Sequence, residues 1–287
     1  MSSSLLLVDG MALLFRAYFA SAYGGSVRKT QAGLPVNAVY GFVRYMFDAV
    51  RTFEPSHVAC CWDLGSRTFR TERYPLYKAN RPEPPVDLVP QFDLVKEVVE
   101  SLGVPNIGCP GYEADDCIGT LARRYGGEMD VLILTGDHDM LQLVSENVKV
   151  AILKKGLGSY ALYDPDTLLS EKSISPKQVI DLKGLIGDSS DNYPGVKGIG
   201  EKTGIKLLSE FGSIEGILAN MEKLPTSARM KIENDLEMLH LCRELATIYC
   251  EVPITCSIGD WEWTPQPEVV RAKFEELEFR SLLKEIG

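Results

Sequence analysis

The sequence has few of the residues that build nitrogen- or sulfur-ligated metal centres. Its 287 residues include 3 histidines and 7 cysteines, and no two cysteines are spaced as C-x-x-C. An odd number of cysteines without that spacing argues against a disulfide framework and a zinc site, so we expect reduced thiols in a cytoplasmic protein. The chain also lacks an apolar run of membrane-spanning length, and its first residues lack the charged start and cleavage site of a signal peptide.

A net positive charge is absent as well. The chain has 30 lysines and arginines against 40 aspartates and glutamates, which gives a formal net charge of −10. Hydrophobic residues make up 45% and the mean hydropathy is −0.04, as is typical of a globular protein of one or two domains. The negative charge argues at first against a nucleic-acid partner. Net charge says little when charges are segregated, however, so the positions of the acids decide the matter.

Several acids are grouped between residues 111 and 139. Glu113 and Asp116 lie three positions apart at a predicted helix start, with Asp115 beside them. Asp137 and Asp139 follow an apolar, β-branched run that predicts a strand buried on both faces. Such a cluster repels itself, and divalent cations that prefer carboxylate oxygens are its natural counter-charge. The alternative is a solvated acidic face.

Two further apolar runs end in aspartate. Residues 4–8 precede Asp9, and residues 58–62 precede Asp63. In an open parallel sheet with helical crossovers, the carboxyl ends of the strands line one crevice, where ligands bind. Three strands that each end in aspartate therefore predict an α/β core over residues 1–175, with a mostly parallel central sheet flanked by helices. They also favour a metal-binding crevice over a solvated face.

The stretch from residue 65 to residue 90 is basic and aromatic. Its basic residues are Arg67, Arg70, Arg73, Lys78 and Arg81, and they alternate with Phe69, Tyr74 and Tyr77. Basic side chains attract phosphates, and aromatic rings stack on unpaired bases. An ordinary solvated loop is the alternative. The position directly after Asp63 favours a nucleic-acid-binding excursion that overhangs the crevice.

The second half of the chain, residues 176–287, is predicted to be helical. Asp188 and Asp191 are three positions apart and could add ligands to a neighbouring metal. A Gly-rich stretch, residues 194–200, leads into a predicted helix over residues 201–211, whose free amide groups and positive dipole end face outward. Lys197, Lys202 and Lys206 are placed to support a phosphate there. We therefore predict a helix–turn–helix that grips a duplex backbone without reading its sequence.

Taken in order, the motifs resemble those of a known family. They are V-D-G, W-D, F-R…Y-K-x-x-R, E-A-D-D, T-G-D-x-D and G-D-x-S-D-N-x-P-G-V-x-G-I-G-E-K-T. They resemble the bacterial 5′ nucleases, which comprise the 5′→3′ exonuclease domain of DNA polymerase I and its free-standing relatives, kin to the flap endonucleases. The match runs essentially end to end. Because the chain ends where a polymerase would begin, we expect a free-standing member of the family. We also expect a monomer, with a separately encoded DNA polymerase as a partner.

The resemblance implies a fold and a set of site residues. The fold is a PIN-like nuclease core with an arch at about residues 64–92, and a helical region with a helix–three-turn–helix motif. The implied metal ligands are Asp9, Asp63, Glu113, Asp115, Asp116, Asp137, Asp139, Asp188 and Asp191. The expected DNA contacts are Arg16, Arg70, Tyr77, Lys78, Arg81, Lys197, Gly198, Gly200, Lys202 and Thr203. A potassium ion held by backbone carbonyls near Val196 and Ile199 is also implied.

The implied activity is metal-dependent hydrolysis of DNA at free 5′ ends or 5′ flaps, in replication and repair. Two or more Mg²⁺ ions, about 4 Å apart and replaceable by Mn²⁺, would activate water and bind the reacting phosphate. We expect Asp9, Asp63, Glu113, Asp115 and Asp137 to be catalytic, with Lys78 and Arg81 on the phosphate. Without the nine implied ligands, 31 acids remain against 30 bases, which resolves the conflict with DNA binding.

The sequence departs from the family pattern at a few positions, and two other functions stay open. Cys61, Trp62, His138 and Gly204 stand where relatives often carry other residues, but none of these changes removes a ligand. One alternative is a DNA-binding protein that has kept the fold without the chemistry, against which the complete acidic set argues. The other is a small single-domain ribonuclease, a class without the arch and the Gly-rich duplex grip.

Overall fold

The computed structural model describes residues 3–22 and 27–285. Within them, six strands form one sheet in the order β3-β2-β1-β4-β5-β6. Neighbouring strands are parallel except for the edge pair β5 and β6, which is antiparallel. The predicted mostly parallel α/β sheet is therefore confirmed. The strands are β1 (Ser4–Asp9), β2 (His57–Cys61), β3 (Asn106–Ile107), β4 (Asp130–Thr135), β5 (Val148–Leu153) and β6 (Tyr160–Tyr163).

The apolar runs form strands because both faces of the sheet are covered. Side chains of a strand alternate between the two faces, and in β1 all four residues from Leu5 to Val8 are fully buried. Leu5 and Leu7 pack into the core on one face, and Leu6 and Val8 into the core on the other. A strand covered on both sides has no face towards solvent, which explains why polar and apolar residues do not alternate in its sequence.

Helices cover the sheet on both faces. The α-helices of the described residues are α1 (Gly10–Ala22), α2 (Asn37–Phe53), α3 (Phe69–Arg73), α4 (Gln91–Ser101), α5 (Ala114–Tyr125), α6 (Pro165–Lys172), α7 (Pro176–Ile186), α8 (Glu201–Phe211), α9 (Ile214–Ala219), α10 (Thr226–Asn234), α11 (Leu236–Ala246) and α12 (Pro267–Glu276). Short 3₁₀ helices lie at His138–Leu143, Met221–Lys223, Ile258–Asp260 and Leu282–Glu285. No helix in the described ranges is long and apolar enough to cross a bilayer.

The helical region shares a core with the sheet. Leu182 of α7, Leu207 of α8 and Leu239 of α11 belong to the buried cluster on the α5 face. The last helix lies on the opposite face, because Val270 and Phe274 are one helical turn apart and both are buried there beside α1, α2 and α4. The described segment 267–285 therefore returns to the α/β layers, although the sequence analysis assigns it to the helical DNA-binding region.

Candidate active site

Six of the nine predicted acids line one cleft at the carboxyl end of the sheet. β1 lies between β2 and β4 in the sheet. From β1 the chain adds β2 and β3 on one side and later β4 and β5 on the other, and the crevice opens at this switch point. The cleft has a volume of about 560 Å³. Its acids are Asp9, Asp63, Glu113, Asp115, Asp137 and Asp188, and Lys78, Arg81, His138 and Lys183 also line it. The other three acids, Asp116, Asp139 and Asp191, do not line the cleft.

Asp9 is the most central of the cleft acids. It ends β1 and is 4% exposed. One carboxylate oxygen accepts from the amide of Ala12 at 3.0 Å, at the start of α1, and the other accepts from the Thr135 hydroxyl at 2.7 Å. Burial, and to a lesser extent the charges of Asp137 and Asp63, raise the pKa of Asp9 to about 6, against the two hydrogen bonds, which lower it. The carboxylate is fixed in place but poorly solvated.

The start of α5 positions three more acids. Asp63, two residues beyond β2, accepts from the Ala114 amide at 2.7 Å, and Glu113 is the N-cap residue of the helix. Carboxylates are stabilised there by free amides and by the helix dipole. Asp115, in the first turn, faces the cleft. Burial and the charges of Asp9 and Asp137 raise the pKa of Asp115 well above its ordinary value, although the charge of Lys78 lowers it.

Asp116 faces away from the cleft, into a buried ion pair. Its side chain is fully buried and accepts from the Glu113 amide at 3.0 Å, which completes the capping box of α5. Both of its oxygens also accept from the Arg70 guanidinium, at 2.7 and 2.8 Å. Arg70 is 2% exposed. The resemblance implies that Arg70 contacts DNA, but the structure buries its side chain. It anchors the base of the arch to α5, and its remaining donors bind the carbonyls of Leu245 and Thr247.

The base of the arch places Tyr77, Lys78 and Arg81 against the acids. Lys78 Nζ lies 2.8 Å from Glu113 Oε2, and Arg81 Nη2 lies 2.6 Å from Asp191 Oδ1. Burial lowers the pKa of Lys78, but Glu113 and its neighbours raise it more. The Tyr77 hydroxyl lies 3.2 Å from Glu113 and 3.1 Å from Asp191, and its ring is 4% exposed. Tyr77 therefore orients carboxylates and presents no free ring to a base.

Lys183 is a site residue that the sequence interpretation missed. It lies in the last turn of α7, with its ammonium 2.6 Å from Asp139 and in contact with Asp188. Burial lowers the pKa of Lys183, but the two carboxylates raise it to a greater extent. Its position five residues before Asp188, at the end of a helix that runs into the acidic motif, was the signal in the sequence. It joins the acids after β4 to those of the helical region.

Four cleft acids have no basic partner within the described part of the chain. Glu113, Asp116, Asp139, Asp188 and Asp191 each form an ion pair with a lysine or arginine. The four without such a pair are Asp9, Asp63, Asp115 and Asp137, and all of them line the cleft.

These four carboxylates supply the hard oxygen donors that Mg²⁺ and Mn²⁺ prefer. In the described ranges no group of three or more possible ligands is arranged as a ready-made metal cage. The two strand-end aspartates, Asp9 and Asp63, instead accept hydrogen bonds from the backbone amides of Ala12 and Ala114. The donor set fits a divalent cation that draws the side chains together.

The Gly-rich hairpin follows directly from the acidic loop. The backbones of Asp188 and Tyr193 exchange two hydrogen bonds, of 2.8 and 3.0 Å. Gly187 and Gly195 then pack backbone to backbone: a Cβ on Gly195 would stand 2.2 Å from the amide nitrogen of Gly187, and both have positive φ. This contact turns the chain sharply from α7 towards α8.

The expected duplex-contact residues lie at the surface of this hairpin. Lys197, Gly198, Gly200, Lys202 and Thr203 are all exposed. The amides of Gly198, Gly200 and the first two residues of α8 have no acceptor in the described chain, as expected at a helix start. The side chains of Val196 and Ile199 are buried beneath them.

Arg16 and His138 lie at the edge of the site. The Arg16 guanidinium donates to the carbonyl of Lys154, at the end of β5, and lies over the Tyr45 ring. It does not line the cleft, which differs from its expected contact with the DNA strand near Asp9. His138 does line the cleft. Burial, and to a lesser extent the positive charge of Lys172, lowers the pKa of His138.

The fold and the cleft define an α/β protein with an acidic centre at the carboxyl ends of parallel strands and a helical hairpin beside it. Two family models cover most of the chain: "5'-3' exonuclease, N-terminal resolvase-like domain" matches residues 4–173, and "5'-3' exonuclease, C-terminal SAM fold" matches residues 174–268. The chain belongs to the 5′-3′ exonuclease family, and it is a nuclease. The resemblance read from the motifs is thereby confirmed.

Individual relatives agree with this assignment. The chain is 51% identical to the 5′-3′ exonuclease of Bacillus subtilis over 267 residues, which cover 93% of this chain and 90% of the relative. It is 43% identical to the thermostable DNA polymerase I of Thermus filiformis over 285 residues, but spans 33% of that protein's length.

Solved structures share the fold at low sequence identity. The zinc-bound T5 5′-exonuclease has a TM-score of 0.71 at 21% identity, with 96% of this chain and 98% of that chain covered. The catalytic core of Rad2 in complex with a DNA substrate has a TM-score of 0.64 at 18% identity, with 99% and 91% covered.

Proposed function

We propose that this nuclease depends on divalent metal ions and hydrolyses phosphodiester bonds of DNA at free 5′ ends and at 5′ flaps, in replication and repair. The observation that carries the proposal is the group of four cleft carboxylates without a basic partner in the described chain, Asp9, Asp63, Asp115 and Asp137. Like charges that are buried or half-buried beside one another are stabilised by a nearby cation or by protonation. The raised pKa values of Asp9 and Asp115 express that need.

The ions that fit are Mg²⁺, or Mn²⁺ in its place, because the donors are carboxylate oxygens. Asp9, Asp63, Glu113, Asp115 and Asp137 would hold them most directly. Asp139, Asp188 and Asp191 would act on the second side of the cleft, and Asp116 would orient the start of α5. Divalent ions bound there would lower the pKa of water and neutralise charge on the reacting phosphate.

Lys78 and Arg81 would bind the scissile phosphate. Both line the cleft, and their present partners are the carboxylates of Glu113 and Asp191. If those carboxylates held a metal ion, Lys78 and Arg81 would be free for an anionic ligand. Arg81 is half-exposed, so it can reach a phosphate at the mouth of the cleft with little loss of packing.

The space beneath the arch offers a path for a single strand. A second cavity, of about 650 Å³, adjoins the cleft and shares Phe15, Asp63, Lys78, Arg81 and Glu113 with it. The rings of Phe15 and Phe92 also line this cavity, with their centroids 5.9 Å apart. A basic rim with aromatic walls suits unpaired nucleotides, which stack without regard to sequence.

The hairpin suits the duplex part of the same substrate. Its free amide groups and the dipole of α8 attract a phosphate, and Lys197 and Lys202 add charge. Such contacts position a duplex without reading bases. Because several relatives are DNA polymerases I, we also propose that the chain acts on flaps left by a DNA polymerase, as a monomer in the cytoplasm.

The test replaces cleft carboxylates singly by isosteric amides. Asp115→Asn and Asp137→Asn should each reduce cleavage of a labelled 5′-flap DNA in Mg²⁺ by about 1,000-fold or more, which corresponds to about 4 kcal/mol of lost transition-state stabilisation. Junction binding should stay within about threefold, because the duplex grip lies elsewhere. Asp130→Asn is the matched control, since Asp130 is exposed at the opposite end of the strand that leads to Asp137.

The substrates separate the competing functions. Product lengths on a flap distinguish removal of single nucleotides from release of the whole flap, and an RNA flap of the same sequence tests the ribonuclease alternative. Absence of Mg²⁺-dependent cleavage of either flap by the unaltered chain would refute the proposed reaction and favour the DNA-binding alternative. Full activity in either cleft variant would refute the metal assignment.

A further inference from the structure

One buried hydroxyl near the cleft has no hydrogen-bond partner in the described part of the chain. It belongs to Tyr193, which is 2% exposed. Tyr77 packs in the same buried cluster, but its hydroxyl contacts the carboxylates of Glu113 and Asp191. A buried hydroxyl without a partner destabilises the fold that contains it, so its presence in Tyr193 calls for a physical explanation.

The backbone places the Tyr193 side chain beside that of Asp188. The two residues exchange both backbone hydrogen bonds as an antiparallel pair. Their side chains therefore lie on the same side of the ribbon, with Cβ atoms about 5 Å apart. The Tyr193 ring also stacks on the Tyr77 ring, with centroids 6.4 Å apart and an angle of 14° between the planes. Asp188 lines the cleft, so the phenol is buried next to a cleft acid.

Asp139 approaches the same phenol from another segment. Gln142, in the 3₁₀ helix that contains Asp139, donates to the carbonyls of Asp139 and Ala246, at 2.9 and 3.0 Å. Ala246 packs with Tyr193 in one buried cluster. Burial raises the pKa of Tyr193, and the charges of Asp139 and Asp188 raise it further, as expected for a phenol close to two carboxylates.

Lys183 bridges these two acids in the structure. Its ammonium lies 2.6 Å from Asp139 and also contacts Asp188. A divalent ion on the same pair would compete with the ammonium for the carboxylate oxygens and would repel it. Carboxylates that hold a metal ion are themselves oriented by hydrogen bonds from neighbouring groups. The Tyr193 hydroxyl is a donor next to this pair that has no other acceptor in the described residues.

We propose that the Tyr193 hydroxyl is a positioning donor for the pair Asp139 and Asp188, and that it orients this pair for a divalent ion on the second side of the cleft. The inference rests on the proposed metal dependence, and it adds a residue that supplies no ligand. In the arrangement bridged by Lys183 the hydroxyl stays unpaired, so a bond from it to either acid favours the arrangement without that bridge.

The first test needs no ion. Tyr193→Phe removes only the hydroxyl, and because that group is buried and unpaired, the melting temperature in EDTA should rise by about 2 °C or more. Tyr18→Phe is the matched control: Tyr18 is also buried, but its hydroxyl donates to Asp87 at 2.9 Å, so its loss should lower the melting temperature. A lower melting temperature of Tyr193→Phe in EDTA would show a structural role for the hydroxyl and overturn the proposal.

The second test measures ion binding without DNA. Mn²⁺ is titrated into the full chain by calorimetry, and Asp115→Asn and Asp188→Asn assign the binding steps to the two sides of the cleft. Tyr193→Phe should weaken the step that Asp188→Asn abolishes by about tenfold. The step that Asp115→Asn abolishes should change by less than about threefold. In Tyr18→Phe both steps should match those of the unaltered chain.

Flap cleavage gives a third measurement. The Mg²⁺ concentration for half-maximal cleavage should rise about tenfold in Tyr193→Phe, while the rate at saturating Mg²⁺ stays within about threefold, because Tyr193 does not line the cleft. Equal Mn²⁺ affinities of Tyr193→Phe and the unaltered chain would overturn the role of Tyr193 and leave the proposed function intact. Absence of Mn²⁺ binding by the unaltered chain would instead refute the proposed metal dependence, and this role with it.

Discussion

Replacement of Arg70 by methionine separates an interior role from a DNA-binding role. The basic, aromatic stretch suggested a phosphate contact, but the structure buries the guanidinium against Asp116. If Arg70 is a structural anchor, its loss should lower the free energy of unfolding. If it were a DNA contact, its loss would weaken binding and leave stability unchanged.

The magnitude follows from the contacts that Arg70→Met removes. The Arg70 and Asp116 side chains are 3% and 0% exposed, and two backbone carbonyls also lose a donor. Asp116 keeps the amides of Glu113 and Tyr249 but becomes a buried charge without its counter-ion. Removal of one partner of such a pair costs about 3–5 kcal/mol. Arg70→Lys keeps the charge but loses the bidentate geometry, so its stability should fall between those of the unaltered chain and Arg70→Met.

The assay is urea unfolding of the metal-free proteins, followed by flap binding at a temperature where each variant is folded. Arg73→Met is the control: Arg73 belongs to the same stretch and pairs with Glu244, but both side chains are about half-exposed. A surface pair of this kind is worth about 0–1 kcal/mol. Equal, small losses of stability in Arg70→Met and Arg73→Met, together with weaker flap binding in Arg70→Met, would refute the interior role.

Two further predictions concern the hairpin and the cleft acids. Gly195→Ala should lower the free energy of unfolding by about 3 kcal/mol or more, because its Cβ would stand 2.2 Å from the Gly187 amide nitrogen. Gly212→Ala, also at positive φ but with nothing within 4 Å, should cost about 1 kcal/mol, and equal losses in urea unfolding would contradict the close contact. Burial raises the pKa of Asp9 from 3.8 to about 6, so the folded chain binds that proton more tightly than the unfolded chain does. Stability in EDTA should therefore fall as the pH rises from about 4 to about 6, and Asp9→Asn should flatten that slope; equal slopes in the two proteins would show that Asp9 titrates normally.

The helices and strands that carry the site can be predicted from the order of the residues. Continuous apolar runs predicted strands buried on both faces, and the helices over residues 176–186 and 201–211 begin and end where the pattern indicates. The aspartates at the ends of β1, β2 and β4 pointed to one crevice because parallel strands place their carboxyl ends at the same edge. These are local patterns, or rules that hold for any parallel sheet, so they can be read without coordinates.

Which acidic side chain pairs with which basic side chain depends on the three-dimensional packing. Asp115 and Asp116 are adjacent in sequence, yet one faces the cleft and the other is buried against Arg70, 46 residues away. Lys183 joins the acids after β4 to those before the hairpin, a pairing that its distance from Asp139 along the chain does not reveal. Electrostatic partners are set by distance and burial in three dimensions, and a helix turns each successive side chain by about 100°. A row of carboxylates in a sequence therefore indicates that a cation is needed, but the packing determines whether that cation is an arginine, a lysine or a metal ion.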